Sequence, residues 1–109
     1  MRERLEKLHG HRVKFEARIE TFGVRQSRRG TRATLLLVDL RRSEPYEFLA
    51  DHVWVQGGDW TQGLDLGDCI EFEARVVSYE KKRSGQVKID YRLDRPARAV
   101  LKEKNNKAA

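Results

Sequence analysis

Asp68-Cys-Ile-Glu-Phe-Glu-Ala-Arg-Val-Val-Ser-Tyr79, Glu80-Lys-Lys-Arg-Ser-Gly85 and Gln86-Val-Lys-Ile-Asp-Tyr-Arg-Leu93 form the continuous stretch on which the fold turns. Ile70, Phe72, Ala74 and Val76 fall on one side of an extended chain, and Glu71, Glu73 and Arg75 on the other. A period of two with one apolar face marks a half-buried strand. Val87, Ile89, Tyr91 and Leu93 repeat the pattern against Lys88, Asp90 and Arg92. Ser84-Gly85 lies between the runs, and glycine supplies the positive φ that a hairpin tip needs. The stretch therefore predicts a long β-hairpin whose tip carries Lys81, Lys82 and Arg83.

Upstream, Val13, Phe15, Ala17 and Ile19 alternate with Lys14, Glu16, Arg18 and Glu20, giving strand one over 12–24. Gly23 after Phe22 predicts a bulge or sharp bend there. Residues 25–31 follow as a second basic loop, and 31–40 as strand two. Leu35-Leu36-Leu37-Val38 is apolar on both faces, which predicts a central or doubly covered strand. Residues 46–50 and 53–56 make strand three, with Asp51-His52 as a kink or bulge. Trp60 to Leu66 is a short helix or loop that Asp59 is placed to cap. Strand four starts after Leu66-Gly67-Asp68, and strand five covers 86–94, ended or edged by Pro96. Residues 1–11 read as a flexible or helical arm, with Leu5 and Leu8 spaced i, i+3 and Gly10 as the stop; residues 12–101 are one domain, and 102–109 a disordered tail.

The apolar content of 39% against 37% charged residues leaves only a thin core, which suits a small all-β fold. A net charge of +6 favours a polyanionic partner. Cys69 is the only cysteine, so no intrachain disulfide forms, as expected in a reducing compartment. No apolar run approaches the ~20 residues of a membrane helix. Residues 1–12 lack the apolar core of a secretory signal. The expected location is cytoplasmic, with no membrane partner.

Five strands, a glycine-marked bend in the first and a short helix or loop between strands three and four resemble the OB-fold, a five-stranded, partly open barrel. Leu64-Asp-Leu-Gly-Asp-Cys-Ile-Glu-Phe-Glu-Ala-Arg-Val76 is similar to that family's Gly-Asp approach to strand four. The resemblance covers about residues 12–100 and implies binding of single strands or oligonucleotides across strands two and three. The clamping loops would be those joining strands one–two and four–five, here 25–31 and 80–85. These are the two basic tips already found in the charge pattern.

Residues 25–32 carry Arg25, Arg28, Arg29 and Arg32 and no acid. Arginine suits phosphate because its planar fork donates two parallel hydrogen bonds. The simpler reading of both tips is solvated turns rich in Lys and Arg. Aromatic platforms add about 1–3 kcal/mol per stacked base. Tyr79, outward in phase beside the basic tip, is the first candidate and Trp54 or Trp60 the second; the structural alternative for each Trp is core packing. Glu16 and Glu20 would repel phosphate if they faced the groove.

His9-x-His11, His52 and Cys69 do not have zinc-site spacing. Asp51 and His52, adjacent on a strand, point to opposite faces and so do not converge as an acid–base pair. The expectation is a non-enzyme without metal or cofactor that binds single-stranded DNA or RNA. The alternative is a protein-interaction module, self-associating or a subunit of a larger nucleoprotein assembly.

Overall fold

The alternating stripes are realised as strands. The computed structural model describes residues 3–104. Its five strands are β1 (Arg12–Ser27), β2 (Gly30–Arg42), β3 (Glu47–Gln56), β4 (Cys69–Arg83) and β5 (Gln86–Glu103). They form one antiparallel sheet in the order β3-β2-β1-β4-β5. A one-turn helix α1 (Glu3–Glu6) precedes them, and a 3-10 turn, Asp59–Thr61, stands between β3 and β4. The edge strands β3 and β5 approach each other without a hydrogen-bonded ladder between them, so the sheet is not closed.

The inner face collects the apolar residues that the alternation singled out. Val13, Phe15, Ala17 and Ile19 of β1 are buried, as are Ile70, Phe72, Ala74 and Val76 of β4. Phe15 and Phe72 sit opposite each other in the ladder with ring centroids 5.7 Å apart. Each such side chain contributes about 1.5–3 kcal/mol by leaving water. Leu5 and Leu8 join the same cluster, so the N-terminal segment is docked. A four-residue helix cannot hold itself in water. It is held by burial of Leu5, by the Arg4 Nη1 donation to Phe48 O at 2.8 Å, by the Lys7–Glu47 ion pair, and by Gly10 N donating to Val76 O at 2.8 Å.

Several boundaries differ from those read off the chain. β1 runs on to Ser27 and β2 starts at Gly30, so Arg25 is a strand residue, Arg32 lies in β2 as the strand expected over 31–40 has it, and only Arg28-Arg29 form the loop. Gly30, at φ 109°, supplies the positive φ after that turn, and Ser27 Oγ accepts from Arg29 N while donating to Gly30 O. Gly23 is not bulged: it pairs regularly with Thr34, and the β1–β2 irregularities fall between Glu16 and Arg18 and between Ile19 and Thr21. β3 is continuous, and its register slips beside Leu49 rather than at Asp51-His52.

β2 lies between β1 and β3, with Leu36 and Val38 only half-buried on its outer face. β5 passes straight through Pro96 to Glu103. Register shifts between Glu73 and Arg75 and between Glu71 and Glu73 place bulges at the positive-φ residues Arg95 and Arg98, where a proline without a ladder donor is tolerated. The tail read as disordered from 102 is strand at 102–103, and residues 105–109 lie outside the described residues. The β4–β5 tip is a two-residue turn, Ser84 at φ 52° and Gly85 at φ 77°, the primed geometry that matches strand twist.

Candidate nucleic-acid interface

Partners in an antiparallel ladder share a face. Leu35 and Leu37 face the core, so Thr34 and Leu36 face outward, and with them their partners on β1 and β3. This places Gly23, Arg25, Arg32, Thr34, Trp54 and Gln56 on one outer surface. At the projecting end of the β1–β2 hairpin, residues of this surface and of the opposite, core-facing side together line a groove of about 930 Å³. Arg25, Arg28, Arg29, Arg32 and Trp54 line it together with Arg92, Leu93 and Asp94 of β5. Val24, Ala33 and Val55 add apolar lining. A cleft of this size with apolar walls and a few charged groups has the general build of a ligand site.

Trp54 is 48% exposed, and its position is explained by Gly23. A Cβ at residue 23 would stand 3.0 Å from Thr34 Oγ1 and 3.4 Å from the six-membered ring of Trp54. The missing side chain lets the indole lie against the β1 backbone, an aromatic covering a strand glycine. The glycine that reads as a bend is therefore a seat for a ring.

Charge divides the sheet into a paired part and an unpaired part. On the outer face of β1 and β4, Glu16, Glu71 and Glu73 are each within 4.0 Å of a cation: Arg41 for Glu16, Lys14 and Lys102 for Glu71, Arg12 and Arg98 for Glu73. Glu16 and Glu71 even face each other across the ladder. Around the groove the pattern reverses. Among the described residues, no carboxylate lies within ion-pair distance of Arg25, Arg28, Arg29, Arg32 or Arg92. Arg25 and Arg32 are direct cross-strand partners. Like charges so placed are destabilising, and a bound anion would relieve them.

The remaining candidates are dispersed. Lys81, Lys82 and Arg83 sit at the far end of the β4–β5 hairpin and do not line the groove. Tyr79 lies on that hairpin, half-buried, its hydroxyl 3.2 Å from Asp90 Oδ2 and its ring 5.6 Å from the guanidinium of Arg92. It does not line the groove, and its ring lies beside Arg92, which does. Trp60 packs on Phe72 with ring centroids 5.5 Å apart, and its Nε1 donates to Gln56 O at 2.8 Å, so its ring is engaged with the core.

Arg92 and Asp94 were not singled out by sequence. Counting back from the Ser84-Gly85 turn pairs Arg92 with Val77, two positions from Tyr79 on the same face, and that register was there to be counted. Nothing local in the chain tells that β5 passes beside β3. Among the described residues no helix is long and apolar enough to cross a membrane. Comparison with protein-family models, with curated proteins and with solved structures found no match.

Proposed function

We propose that the protein binds single-stranded nucleic acid in the groove beside the β1–β2 hairpin. The observation that carries this reading is the set of five arginines that have no carboxylate in ion-pair reach among the described residues, around a half-exposed tryptophan. Arginines take the backbone phosphates, and the Trp54 face stacks a base. The strand order supports the OB-like reading: β1 pairs with both β2 and β4, and the seam between β3 and β5 is where a five-stranded barrel would close. Lys81, Lys82 and Arg83 extend the positive field beyond the groove and speed encounter more than they tighten the complex. The reading needs no catalytic group or cofactor, and its setting is the cytoplasm.

Fluorescence anisotropy of a labelled single-stranded oligonucleotide at two salt concentrations is the test. Each neutralised phosphate contributes roughly −0.7 to the slope of log K against log salt. Binding that weakens steeply with salt, and is lost in Arg28→Glu/Arg29→Glu, supports the assignment. No binding at low salt removes it.

A second reading rests on a different feature. β5 is an edge strand, and Val87 and Ile89 are 55% and 56% exposed on its hairpin arm. An unpaired edge beside exposed apolar residues is a template for an added strand, the route by which a protein partner would join. Retention of a partner by a Val87→Lys/Ile89→Lys variant would eliminate that surface.

A further inference from the structure

Among the described residues, Asp94 is the acid that lines the groove. It is half-buried, stands between Arg92 and Arg95 in the chain, and faces Arg75 across the ladder. Among the described residues, none places a donor or cation within hydrogen-bond or ion-pair distance of its carboxylate. Glu16, Glu71 and Glu73, by contrast, each have a cation within 4.0 Å. A carboxylate here works against a ligand recognised by phosphates alone, because it repels them and offers only acceptors. It becomes favourable when the ligand presents donors beside its phosphates.

Nucleic-acid bases carry such donors on their pairing edges. Guanine presents two side by side, N1–H and the N2 amino group, which match the two oxygens of one carboxylate in a bidentate pair. Adenine and cytosine offer an amino group next to a ring acceptor. Thymine and uracil offer a single N–H between two carbonyls that a carboxylate repels. Trp54 and Asp94 line the same groove, so a base stacked on Trp54 enters the lining to which Asp94 belongs.

Resting on the nucleic-acid reading above, we infer that Asp94 is a specificity residue: it accepts from the pairing edge of a guanine and makes the groove prefer guanine-bearing single strands. The arginines fix the backbone, and Asp94 selects the base.

The test compares thymidine strands carrying isolated guanines with the same strands carrying inosine, which lacks the N2 amino group. Binding is followed by anisotropy at low salt. The wild-type chain is expected to favour guanine over inosine by roughly tenfold, the worth of one good bidentate base contact. Asp94→Ala and Asp94→Asn both erase that preference, and Asp94→Ala binds the plain thymidine strand more tightly because a repulsive charge is gone. Equal binding of the two strands by the wild type, or a preference that survives in both variants, overturns the inference while leaving the groove reading intact. No binding of any strand at low salt overturns both.

Discussion

Arg25 on β1 and Arg32 on β2 face each other directly across the ladder, with no carboxylate among the described residues in ion-pair reach of either. Opposed like charges cost roughly 0.2–1 kcal/mol relative to a neutral pair. Arg32→Glu turns the pair into an attraction, so chemical denaturation should show a gain of up to about 1 kcal/mol. The same change should weaken oligonucleotide binding and flatten its salt slope by at least about 0.7. Stability and binding moving in opposite directions is the signature; an unchanged slope would place the ligand elsewhere.

The two tryptophans should separate cleanly. Trp54 is half-exposed and covers Gly23, so Trp54→Ala should cost about 1 kcal/mol of stability, less than Trp60→Ala, and about 1–3 kcal/mol of binding for each base that it stacks. Trp60 packs on Phe72 and donates to Gln56 O. Trp60→Ala should destabilise by about 2–3 kcal/mol, below the range for fully buried aromatics, with a smaller effect on binding. The opposite assignment of effects would exchange the roles of the two rings.

Gly23→Ala tests the seat beneath Trp54. The φ at residue 23 is not in the left-handed region, so alanine meets no backbone strain there. The sign is decided by crowding against Thr34 Oγ1 at 3.0 Å and the indole at 3.4 Å. The expected result is a loss of about 1 kcal/mol and a shift of Trp54 emission toward that of a solvated indole, read in a Trp60→Phe background. Emission that stays in place would mean the ring does not rest on the glycine.

Acid should loosen the N-terminal segment first. The hydrogen bond from Lys7 holds the Glu47 carboxyl below its ordinary range, assisted by the nearby positive charges of Arg4 and Arg42. A lowered folded-state value means the stabilisation is present at neutral pH and lost as pH falls through that lowered value. Lys104 behaves in the reverse sense: its hydrogen bond to Asp65 raises it, and that contribution fades only as pH rises through the raised value. Amide chemical shifts of residues 4–9, followed through an acid titration, should move with Glu47 in the wild type and lose that transition in Lys7→Ala.

What could be read from the chain was whatever local alternation controls. The buried stripes of β1 and β4 and the turn at Ser84-Gly85 follow from period and positive φ, because one face of a strand is wet. Strand ends are hidden where polar residues continue a ladder past the core: Arg25 reads as a loop residue because the basic run after Val24 carries no apolar alternation, whereas Arg32 falls inside the strand expected over 31–40. β5 was cut short at Pro96 because a proline normally ends a ladder, and the bulges at Arg95 and Arg98 that accommodate it leave no pattern in the sequence. Of the candidate site, Arg25, Arg28, Arg29, Arg32 and Trp54 come together, since four of them share one hairpin and Trp54 lies on the strand paired with it. Lys81, Lys82 and Arg83 join them only where the two tips converge, and that depends on how far the sheet coils, a tertiary property. Tyr79 and Trp60 look the same as Trp54 in a one-dimensional reading; only neighbours such as Arg92 and Phe72 distinguish them.

β1 is held on both sides over residues 14–19: Phe15, Glu16 and Arg18 pair with β2 and β4 at once, Lys14 O accepts from Ser43 N, and Ile19 N donates to Asp68 O. Beyond that stretch β1 pairs with β2 alone, and before it with β4 alone. The arm that carries the Arg25–Arg32 pair and the arm that carries Arg92 and Asp94 thus meet in this doubly held part of the ladder, and elsewhere through the packed core and the approach of β3 to β5. Amide exchange should be slowest at 14–19 and quicken toward the arginine hairpin, whose outer turns can bend without unpicking the core.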